Sequence, residues 1–307
     1  MYVPTMIPTI MTTRKIHTTE NLRSDLRLLG VKTGYDLIVH ASLKSLGKVE
    51  GGYRNFLDAL FLAIGDDGTI IAPAFYYGAI CPSEYRIPPP PDEIVRIQAK
   101  CRPFDEHLSP SQEGSFGEMV RLDTRGFRSL HPVISWAAIG TRAKEYTENV
   151  PLDDADGLES PLGRVYKRGK AQILLVGVDH IKNTSLHLAE SLAGSPHYLQ
   201  STTRYLIDDN NWGTIKGIGG CSGGFHKIRG LIDFVKYEIK GKVGDSLTIL
   251  IEQKPFVDAA RDALIKTPHA LLCDNPSCHD CSKARELYGL EPLKEREYHI
   301  KKPYLEY

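Results

Sequence analysis

Residues 160–190, SPLGRVYKRGKAQILLVGVDHIKNTSLHLAE, constrain the fold of this chain more than any other stretch. They predict a buried strand over 173–178, a polar loop over 179–182, and a helix that begins at the capping residue Asn183 and ends at Gly194. The helix would carry His187 and Glu190 on one face, because residues three apart are neighbours on a helix. Open α/β sheets place ligands just beyond the carboxyl ends of their strands. A histidine at that place can act as a general base near neutral pH.

Strand and helix patterns alternate along the rest of the chain. The patterns predict strands over 37–40, 69–72 and 133–138, and helices over 19–29, 52–64 and 258–266. Thr19 is expected to cap the first of these helices. Such alternation indicates βαβ units. We therefore predict an α/β fold with a mixed, largely parallel central sheet flanked by helices. Threonine, isoleucine and glycine runs over 200–255 predict an additional antiparallel portion in the C-terminal half, beside the main sheet.

The chain divides into three predicted parts. These are an irregular N-terminal lead-in over 1–16, a main domain over 17–267, and a cysteine-containing C-terminal extension over 268–307 that packs on the same domain. Within the main domain, the proline-rich residues 76–112 predict a long functional loop, with PPPP as a stiff polyproline segment. A solvent-exposed excursion without a role is the alternative.

Bulk composition excludes several classes of protein. The 307 residues include 38 basic and 38 acidic side chains, so the formal net charge is zero. This argues against a nucleic-acid or membrane-surface partner. No apolar run approaches the length of a membrane span, and a signal peptide is not expected. Six cysteines in a chain of this length do not indicate a secreted disulfide scaffold, so the expected location is cytoplasmic.

Three cysteines near the C-terminus have the spacing of metal ligands. Cys273, Cys278 and Cys281 form C-x4-C-x2-C, and soft ligands at short spacing indicate zinc. The sequence offers several candidates for a fourth ligand: His269, His279, Cys221 or His226. Three free, reduced thiols are the alternative.

Several motifs occur in the order typical of one enzyme family. They are HASLKSLGKVEGG (40–52), GTIIAPAF (68–75), RSLHPVISWAAIG (128–140), the 160–190 stretch and CDNPSCHDC (273–281). Together the motifs resemble the aminoglycoside 3-N-acetyltransferase family, which has the antibiotic N-acetyltransferase fold rather than the common GNAT fold. The resemblance implies transfer of acetyl from acetyl-CoA to the 3-amino group of aminoglycosides, and hence antibiotic resistance. A homodimer is a further expectation.

The resemblance also implies roles for individual residues. Transfer would be direct, with His187 as general base and Glu190 orienting its ring and stabilising the imidazolium. The implied coenzyme A residues are Ser42, Leu43, Lys44, Ser45, Gly47, Val49, Ser129 and His131. The expected substrate-binding residues are Tyr76, Tyr77, Asp156 and Gly223. Each residue could instead have a purely structural role. The alternatives are an ordinary strand–turn–helix connection at 42–49, a simple turn at His131, a core histidine at 187 and a surface ion pair at Glu190.

The chain departs from the family in its expected antibiotic pocket. Many resistance enzymes of the family carry acids where this chain has Tyr76 and Tyr77, Ile181, and Gly223. Because aminoglycosides are polycations, the loss of these acids predicts that the enzyme accepts a narrower range of aminoglycosides. The acids over 153–159 are candidates to replace the missing negative charge. Two other functions stay open: acetylation of a non-aminoglycoside amine metabolite, and a non-catalytic CoA-fold interaction module. A serine hydrolase is disfavoured, because no G-x-S-x-G elbow occurs.

Overall fold

The structure, a computed structural model, describes residues 15–209 and 211–293. Most of the predicted lead-in and the last fourteen residues of the predicted C-terminal extension lie outside the described residues. The strands are β1 (Ile16–His17), β2 (Asp36–Ala41), β3 (Lys48–Val49), β4 (Thr69–Pro73), β5 (Phe127–Arg128), β6 (Trp136–Gly140), β7 (Ala171–Val176), β8 (Thr202–Asp208), β9 (Asn211–Lys216), β10 (Glu238–Val243) and β11 (Ser246–Glu252).

The helices alternate with these strands. They are α1 (Thr19–Leu29), α2 (Arg54–Ile64), α3 (Pro91–Gln98), α4 (Ser115–Arg121), α5 (Ala143–Thr147), α6 (Pro161–Arg168), α7 (Ser185–Leu192), α8 (Pro196–Leu199), α9 (Gln253–Lys266) and α10 (His279–Leu287). Short 3-10 turns cover Leu43–Leu46, Pro82–Glu84, His180–Lys182, Phe225–Gly230 and Phe234–Lys236. Among the helices of the described ranges, none combines the length and the apolar character that crossing a membrane would need.

Seven strands form the central sheet, in the order β10-β11-β7-β2-β4-β6-β5. At its centre β7, β2 and β4 pair in parallel, whereas β11 and β6 join them antiparallel from either side. β8 and β9 form a separate antiparallel pair. The predicted mixed α/β fold with an additional antiparallel portion is confirmed. One detail of the prediction is wrong: β10 and β11 extend the main sheet, because β11 hydrogen-bonds to β7 instead of lying beside the sheet.

The central strands are buried on both faces. In β7, Ile173 and Leu175 pack into one core, and Leu174 and Val176 into the other. This alternation follows from the two-residue period of a strand. The first core is covered by α5, α6, α7 and α9, and the second by α1, α2 and α4. The result is a three-layer sandwich, the arrangement that lets parallel strands bury both faces.

Three local predictions were wrong in detail. Thr18, not Thr19, caps α1, because its hydroxyl oxygen accepts a hydrogen bond from Asn21 N at 3.1 Å. The helix that carries His187, α7, begins at Ser185 and not at the predicted Asn183, because Asn183 ends the preceding 3-10 turn. Helix α3 lies inside the segment predicted to be irregular; Pro91 occupies its first turn, where the missing N–H of proline has no consequence.

The parallel strands bring three connections to one edge of the sheet. β2, β4 and β7 end there, and they are followed by residues 42–49, 74–78 and 177–187. Ser42 N donates to Val176 O at 2.9 Å, which joins the first connection to the end of β7. A side chain on Gly177 would collide with Ser45, so this approach requires glycine, whose φ of +62° also favours it.

Candidate functional site

A buried histidine–glutamate pair holds the turn that precedes α7. His180 Nε2 lies 2.8 Å from Glu238 Oε1 on β10, and Asn183 Nδ2 lies 3.2 Å from His180 Nδ1. Burial lowers the pKa of His180, so the ring is neutral at neutral pH. Asn183 Oδ1 also accepts from Ser185 N at 3.3 Å, so Asn183 still helps to begin the helix. The start of α7 is thereby fixed to the edge of the sheet.

His187 and Glu190 form a buried pair one turn into α7. His187 Nδ1 lies 2.7 Å from Glu190 Oε2. An ionised carboxylate only accepts, so Nδ1 carries the hydrogen and Nε2 presents its lone pair. The ring lines a cavity, and Nε2 makes no hydrogen bond to any residue of the described ranges. A neutral imidazole in this tautomer can take a proton from a group inside the cavity.

The pKa values of the pair are shifted apart. Burial alone would lower the pKa of His187, but the hydrogen bond and charge of Glu190 outweigh it, so the His187 pKa is raised. Burial would raise the pKa of Glu190, but hydrogen bonds from His187 and His197 outweigh it and lower that pKa to about 2. Glu190 is therefore ionised over the working range, and His187 is a stronger base than a free histidine.

Aromatic rings and a glycine pack around His187. The Tyr198 ring stacks on it at a centroid distance of 6.2 Å, and Phe225 meets it edge-on at 4.6 Å. Gly219 lies against the ring: a Cβ there would stand 2.6 Å from His187 Cγ. Only glycine fits this position without displacing the imidazole.

A second imidazole reaches Glu190, and the sequence analysis missed it. His197 Nε2 lies 3.1 Å from Glu190 Oε1, and His197 Nδ1 lies 2.8 Å from the hydroxyl of Tyr288. The seven-residue spacing from Glu190 to His197 resembles two helical turns. However, α7 ends at Leu192, so spacing alone could not have shown this contact.

The cavity beside His187 has a volume of about 300 Å³. Its wall includes three carboxylates, Glu84, Glu190 and Asp280, and one lysine, Lys283. Asp280 makes no hydrogen bond among residues 15–209 and 211–293, and burial raises its pKa. A Cβ on Gly220 would stand 2.9 Å from Asp280 Oδ2, so this glycine leaves room for the carboxylate. The cavity thus places the imidazole of His187 beside carboxylates.

The acids over 153–159 are not among the residues that line this cavity, and three of them are engaged elsewhere. Asp153 accepts from Lys216 N at 2.8 Å, Asp154 accepts from the Ser191 hydroxyl at 2.8 Å, and Glu159 pairs with Lys167. Asp156 is buried, and neither of its carboxylate oxygens has a partner within the described part of the chain. Burial raises its pKa to about 7.

Three other residues predicted to bind substrate lie away from the cavity wall. The Tyr76 hydroxyl donates to Arg102 O at 3.3 Å, and the Tyr77 hydroxyl bonds to Glu113. Gly223 N donates to Cys221 Sγ at 3.2 Å, and a Cβ on Gly223 would stand 3.1 Å from the Cβ of Cys273. Gly223 therefore packs against a group of cysteines.

The predicted coenzyme A residues 42–49 form a rigid loop at the same sheet edge. Leu43 and Val49 are buried in the second core, so only their backbone groups can meet a ligand. The Ser45 hydroxyl donates to Ser42 O at 2.6 Å. Gly47 has φ +79°, and a Cβ there would collide with Asp245. Lys44 is exposed and has no ion-pair partner among the described residues.

The side chains of Ser129 and His131 are engaged in holding a turn. His131 Nδ1 accepts from Val133 N at 3.1 Å and Ile134 N at 2.8 Å, so its Nε2 donates to Leu152 O at 3.0 Å. Burial lowers the pKa of His131 to about 4. Ser129 Oγ accepts from Trp136 N at 2.8 Å. These contacts favour the turn interpretation over a coenzyme contact by either side chain.

The structure brings a fourth cysteine to the three near the C-terminus. The Sγ atoms of Cys221, Cys273, Cys278 and Cys281 all lie within 4.8 Å of one another, and the cysteines are free. Of the candidate fourth ligands, Cys221 is the one that joins the group. Backbone N–H donors reach two of the sulfurs: Gly223 N to Cys221 and Cys273 N to Cys281, each at 3.2 Å.

Comparison with known proteins places these observations in a family. The family model described as aminoglycoside 3-N-acetyltransferase matches residues 38–265. This chain belongs to the aminoglycoside 3-N-acetyltransferase family. The match ends before the 273–281 cysteines, Asp280 and Tyr288.

Relatives in the family are similar in sequence and in structure. The chain is 34% identical over 178 residues to the SPbeta prophage-derived aminoglycoside N(3')-acetyltransferase-like protein YokD of Bacillus subtilis, covering 56% of this chain and 64% of that protein. It is 34% identical to aminoglycoside N(3)-acetyltransferase III of Acinetobacter baumannii, covering 59% and 63%. The matches thus span a little under two thirds of these curated relatives.

Among solved structures, the apoenzyme of aminoglycoside acetyltransferase AAC(3)-IVa superposes with a TM-score of 0.74 at 26% identity. The superposition covers 90% of this chain and 99% of that chain. A mutant of the same enzyme in complex with gentamicin gives the same values. The likeness in fold therefore extends well beyond the strongest sequence matches.

Proposed function

We propose that the protein transfers an acetyl group from acetyl-CoA to the 3-amino group of an aminoglycoside, with His187 as general base. The observation that carries this proposal is the His187–Glu190 pair at the wall of a cavity, with the base nitrogen free to meet an amine. Membership of the acetyltransferase family supports the reaction type. The complex of AAC(3)-IVa with gentamicin supports the substrate class.

The proposed reaction is a direct transfer. The substrate amine attacks the thioester carbonyl carbon, a C–N bond forms, and His187 Nε2 takes a proton from the amine nitrogen. The C–S bond then breaks, and coenzyme A leaves as a thiolate that picks up a proton. Glu190 accepts from Nδ1–H throughout and stabilises the imidazolium. General-base assistance of this kind contributes about 10²–10⁴-fold to a rate.

We propose that the 42–49 connection receives the coenzyme. It lies at the edge where β2 and β7 end, beside the connection that leads to α7. Its exposed Lys44, which forms no ion pair within the described ranges, is a cation that can meet a phosphate. Its backbone is held rigid by Ser45 and by the buried Leu43 and Val49.

The acidic cavity wall supports a cationic substrate. Glu84 and Asp280 form no ion pair among the described residues, although the nearby charges of His279, Arg86 and Lys283 act on Asp280. An ammonium group placed there would gain an attraction that falls with added salt. We therefore assign to Glu84 and Asp280 the part that the sequence analysis gave to the acids over 153–159.

We also propose that the four cysteines hold one structural zinc ion. Thiolates at about 2.3 Å from a tetrahedral zinc ion lie about 3.8 Å apart, which fits four sulfurs within 4.8 Å of one another. Two backbone N–H groups that donate to the sulfurs suit thiolates. The zinc would join Cys221, next to the glycines that face His187 and Asp280, to the C-terminal segment.

With all six cysteines free, a cytoplasmic location is proposed as well.

A thiol-release assay with acetyl-CoA tests the function. We expect turnover with at least one aminoglycoside, and a loss of about 10²-fold or more in kcat for His187→Gln. The exposed His226 supplies the matched control His226→Gln, which should keep full activity. Turnover of simple amines but of no aminoglycoside would move the function to a metabolite amine. Binding of acetyl-CoA without turnover of any amine would favour the interaction module.

A further inference from the structure

The chain reverses sharply after α7, and this reversal carries a second histidine back to the base. Gly194 has φ +67°, its N–H donates to Ser191 O, and Ser195 N donates to Glu190 O at 3.0 Å. This is the Schellman arrangement that ends a helix with a left-handed glycine. Helix α8 therefore starts beside the end of α7 and places His197 against Glu190.

Glu190 is bound from both sides. His187 Nδ1 meets Oε2 at 2.7 Å, and His197 Nε2 meets Oε1 at 3.1 Å. The Glu190 side chain is 4% exposed, so an oxygen without a protein partner would be left without a hydrogen bond. With both oxygens engaged, the carboxylate plane has one orientation.

The directions of these hydrogen bonds follow from the donors and acceptors available. A carboxylate only accepts, so His197 carries its hydrogen on Nε2. Its Nδ1 is then an acceptor in the neutral ring, and the hydroxyl of Tyr288, 2.8 Å away, is a donor that satisfies it. The opposite tautomer of His197 would turn a lone pair toward Glu190. Glu190, which only accepts, thus selects the tautomer of His197, and the Tyr288 hydroxyl satisfies the remaining ring nitrogen.

We propose that His197 is a positioning residue for the base. It fixes Glu190 in the orientation that keeps the hydrogen of His187 on Nδ1, and Tyr288 fixes His197 in turn. The proposal rests on the proposed function for its kinetic consequence, but its structural part concerns the free protein. Tyr288 lies beyond the family match, so this support comes from the C-terminal segment of this chain.

Two substitutions at His197 separate its two contacts. Glutamine places its amide nitrogen near the Nε2 position, so His197→Gln keeps a donor for Glu190. Asparagine is shorter, so its amide reaches only toward Tyr288, and His197→Asn leaves Oε1 without a partner. We expect His197→Asn to lower kcat by about 10-fold or more with little change in KM for acetyl-CoA, and His197→Gln to restore most of the loss.

A measurement without substrate keeps this inference distinct from the acetyl-transfer proposal. Nitrogen-15 NMR of histidine-labelled protein reports which ring nitrogen of His187 carries the hydrogen, and His187→Gln assigns the signal. At a pH above the His187 pKa, we expect a single Nδ1–H form in the wild type and in His197→Gln, and a mixture of tautomers in His197→Asn. Tyr288→Phe, which keeps the ring, should give an intermediate result.

The outcomes decide between a positioning role and simple packing. Equal kcat losses in His197→Gln and His197→Asn, with the His187 tautomer unchanged in both, would overturn the proposal. If His197→Asn does not fold, an unchanged His187 tautomer in Tyr288→Phe overturns it. The predicted NMR pattern without turnover of any amine would leave this inference standing and refute the acetyl-transfer function.

Discussion

Glu190 Oε2 lies 2.7 Å from His187 Nδ1, and both side chains are buried between α7 and the loop that carries Gly219. This contact gives the proposed base its tautomer and also raises its pKa above the ordinary value of 6.5. Because only the neutral ring can take a proton, the rate should rise with pH as His187 loses its proton. The midpoint of the acid limb in the pH profile of kcat/KM should therefore lie above pH 6.5.

Glu190→Gln tests the cause of this shift. The substitution removes the charge that raises the His187 pKa, so the acid limb should move to lower pH, while kcat on the plateau falls by about 10-fold or more. Profiles from about pH 5 to 9 measure both effects. Glu159→Gln, at an exposed ion pair, is the matched control. An acid limb at the same pH in Glu190→Gln would contradict control of the rate by His187.

Gly219→Ala should damage the base without touching a titratable group. The new Cβ would stand 2.6 Å from the His187 ring, so the ring must move away from Glu190 or from the cavity. A displacement of the reacting group by about 1 Å can cost about 10²-fold in rate. Steady-state kcat measures the loss. Gly230, where nothing lies within 4 Å of an added Cβ, supplies the control Gly230→Ala. Comparable kcat values for the two variants would show that His187 tolerates the added methyl group.

The acidic wall makes a prediction about substrate charge. Asp280→Asn and Glu84→Gln should each raise KM for a polycationic aminoglycoside by about threefold or more, because each removes one attractive charge. The effect should shrink as salt is added, and KM for acetyl-CoA should stay constant. Asp280 lies between two cysteines of the proposed zinc site, so the zinc content of Asp280→Asn must match the wild type. If Glu159→Gln raises KM for the aminoglycoside by the same factor, the attraction comes from the overall charge of the protein and not from the carboxylates of the cavity wall.

The cysteine group predicts about one zinc ion per chain in protein purified without chelator. Cys278→Ser should lose the metal and lower Tm by about 5 °C or more, since a structural metal contributes several kcal/mol to folding. Elemental analysis and thermal unfolding measure the two effects. Cys101→Ser, a buried cysteine outside the group, is the control. Metal-free wild-type protein with the Tm of Cys278→Ser would support four reduced thiols.

The 42–49 connection predicts a selective effect on the coenzyme. Lys44→Ala should raise KM for acetyl-CoA by about fivefold, with KM for the amine unchanged, because an exposed cation contributes about 1 kcal/mol to a phosphate contact. Lys48 directly follows Gly47 at the start of β3 and is also exposed, so Lys48→Ala serves as the control. Equal responses from both lysines would argue against a phosphate at Lys44.

The sequence was informative where contacts are local. It predicted the strand at 173–178 two residues late and the helix that carries His187 and Glu190, because periodic apolar residues and three-residue spacing act within one element. A motif predicts that the 42–49 connection binds coenzyme A, and this stays a prediction; the buried Leu43 and Val49 leave only backbone groups for a ligand there.

The sequence did not predict the contacts between residues that lie far apart in the chain. His197 meets Glu190 only because a left-handed glycine turns the chain after α7, and Tyr288 arrives from ninety-one residues further along. Asp280 and Glu84 share a wall although almost two hundred positions separate them. Cys221 was one of four open choices for a fourth ligand, and only the fold selects it. Such pairings depend on tertiary geometry, which single-sequence patterns do not encode.

One side of the cavity wall comes from a segment near the end of the described residues. Eight of its lining residues lie between Leu271 and Leu287, and three of the four clustered cysteines fall in the same segment. The sheet and the His187 helix can emerge from the ribosome and pack before this segment exists. A nascent chain that stops short of Leu271 would thus hold most of the sheet with one side of the cavity open, and the site would close only once residues 271–287 have left the ribosome.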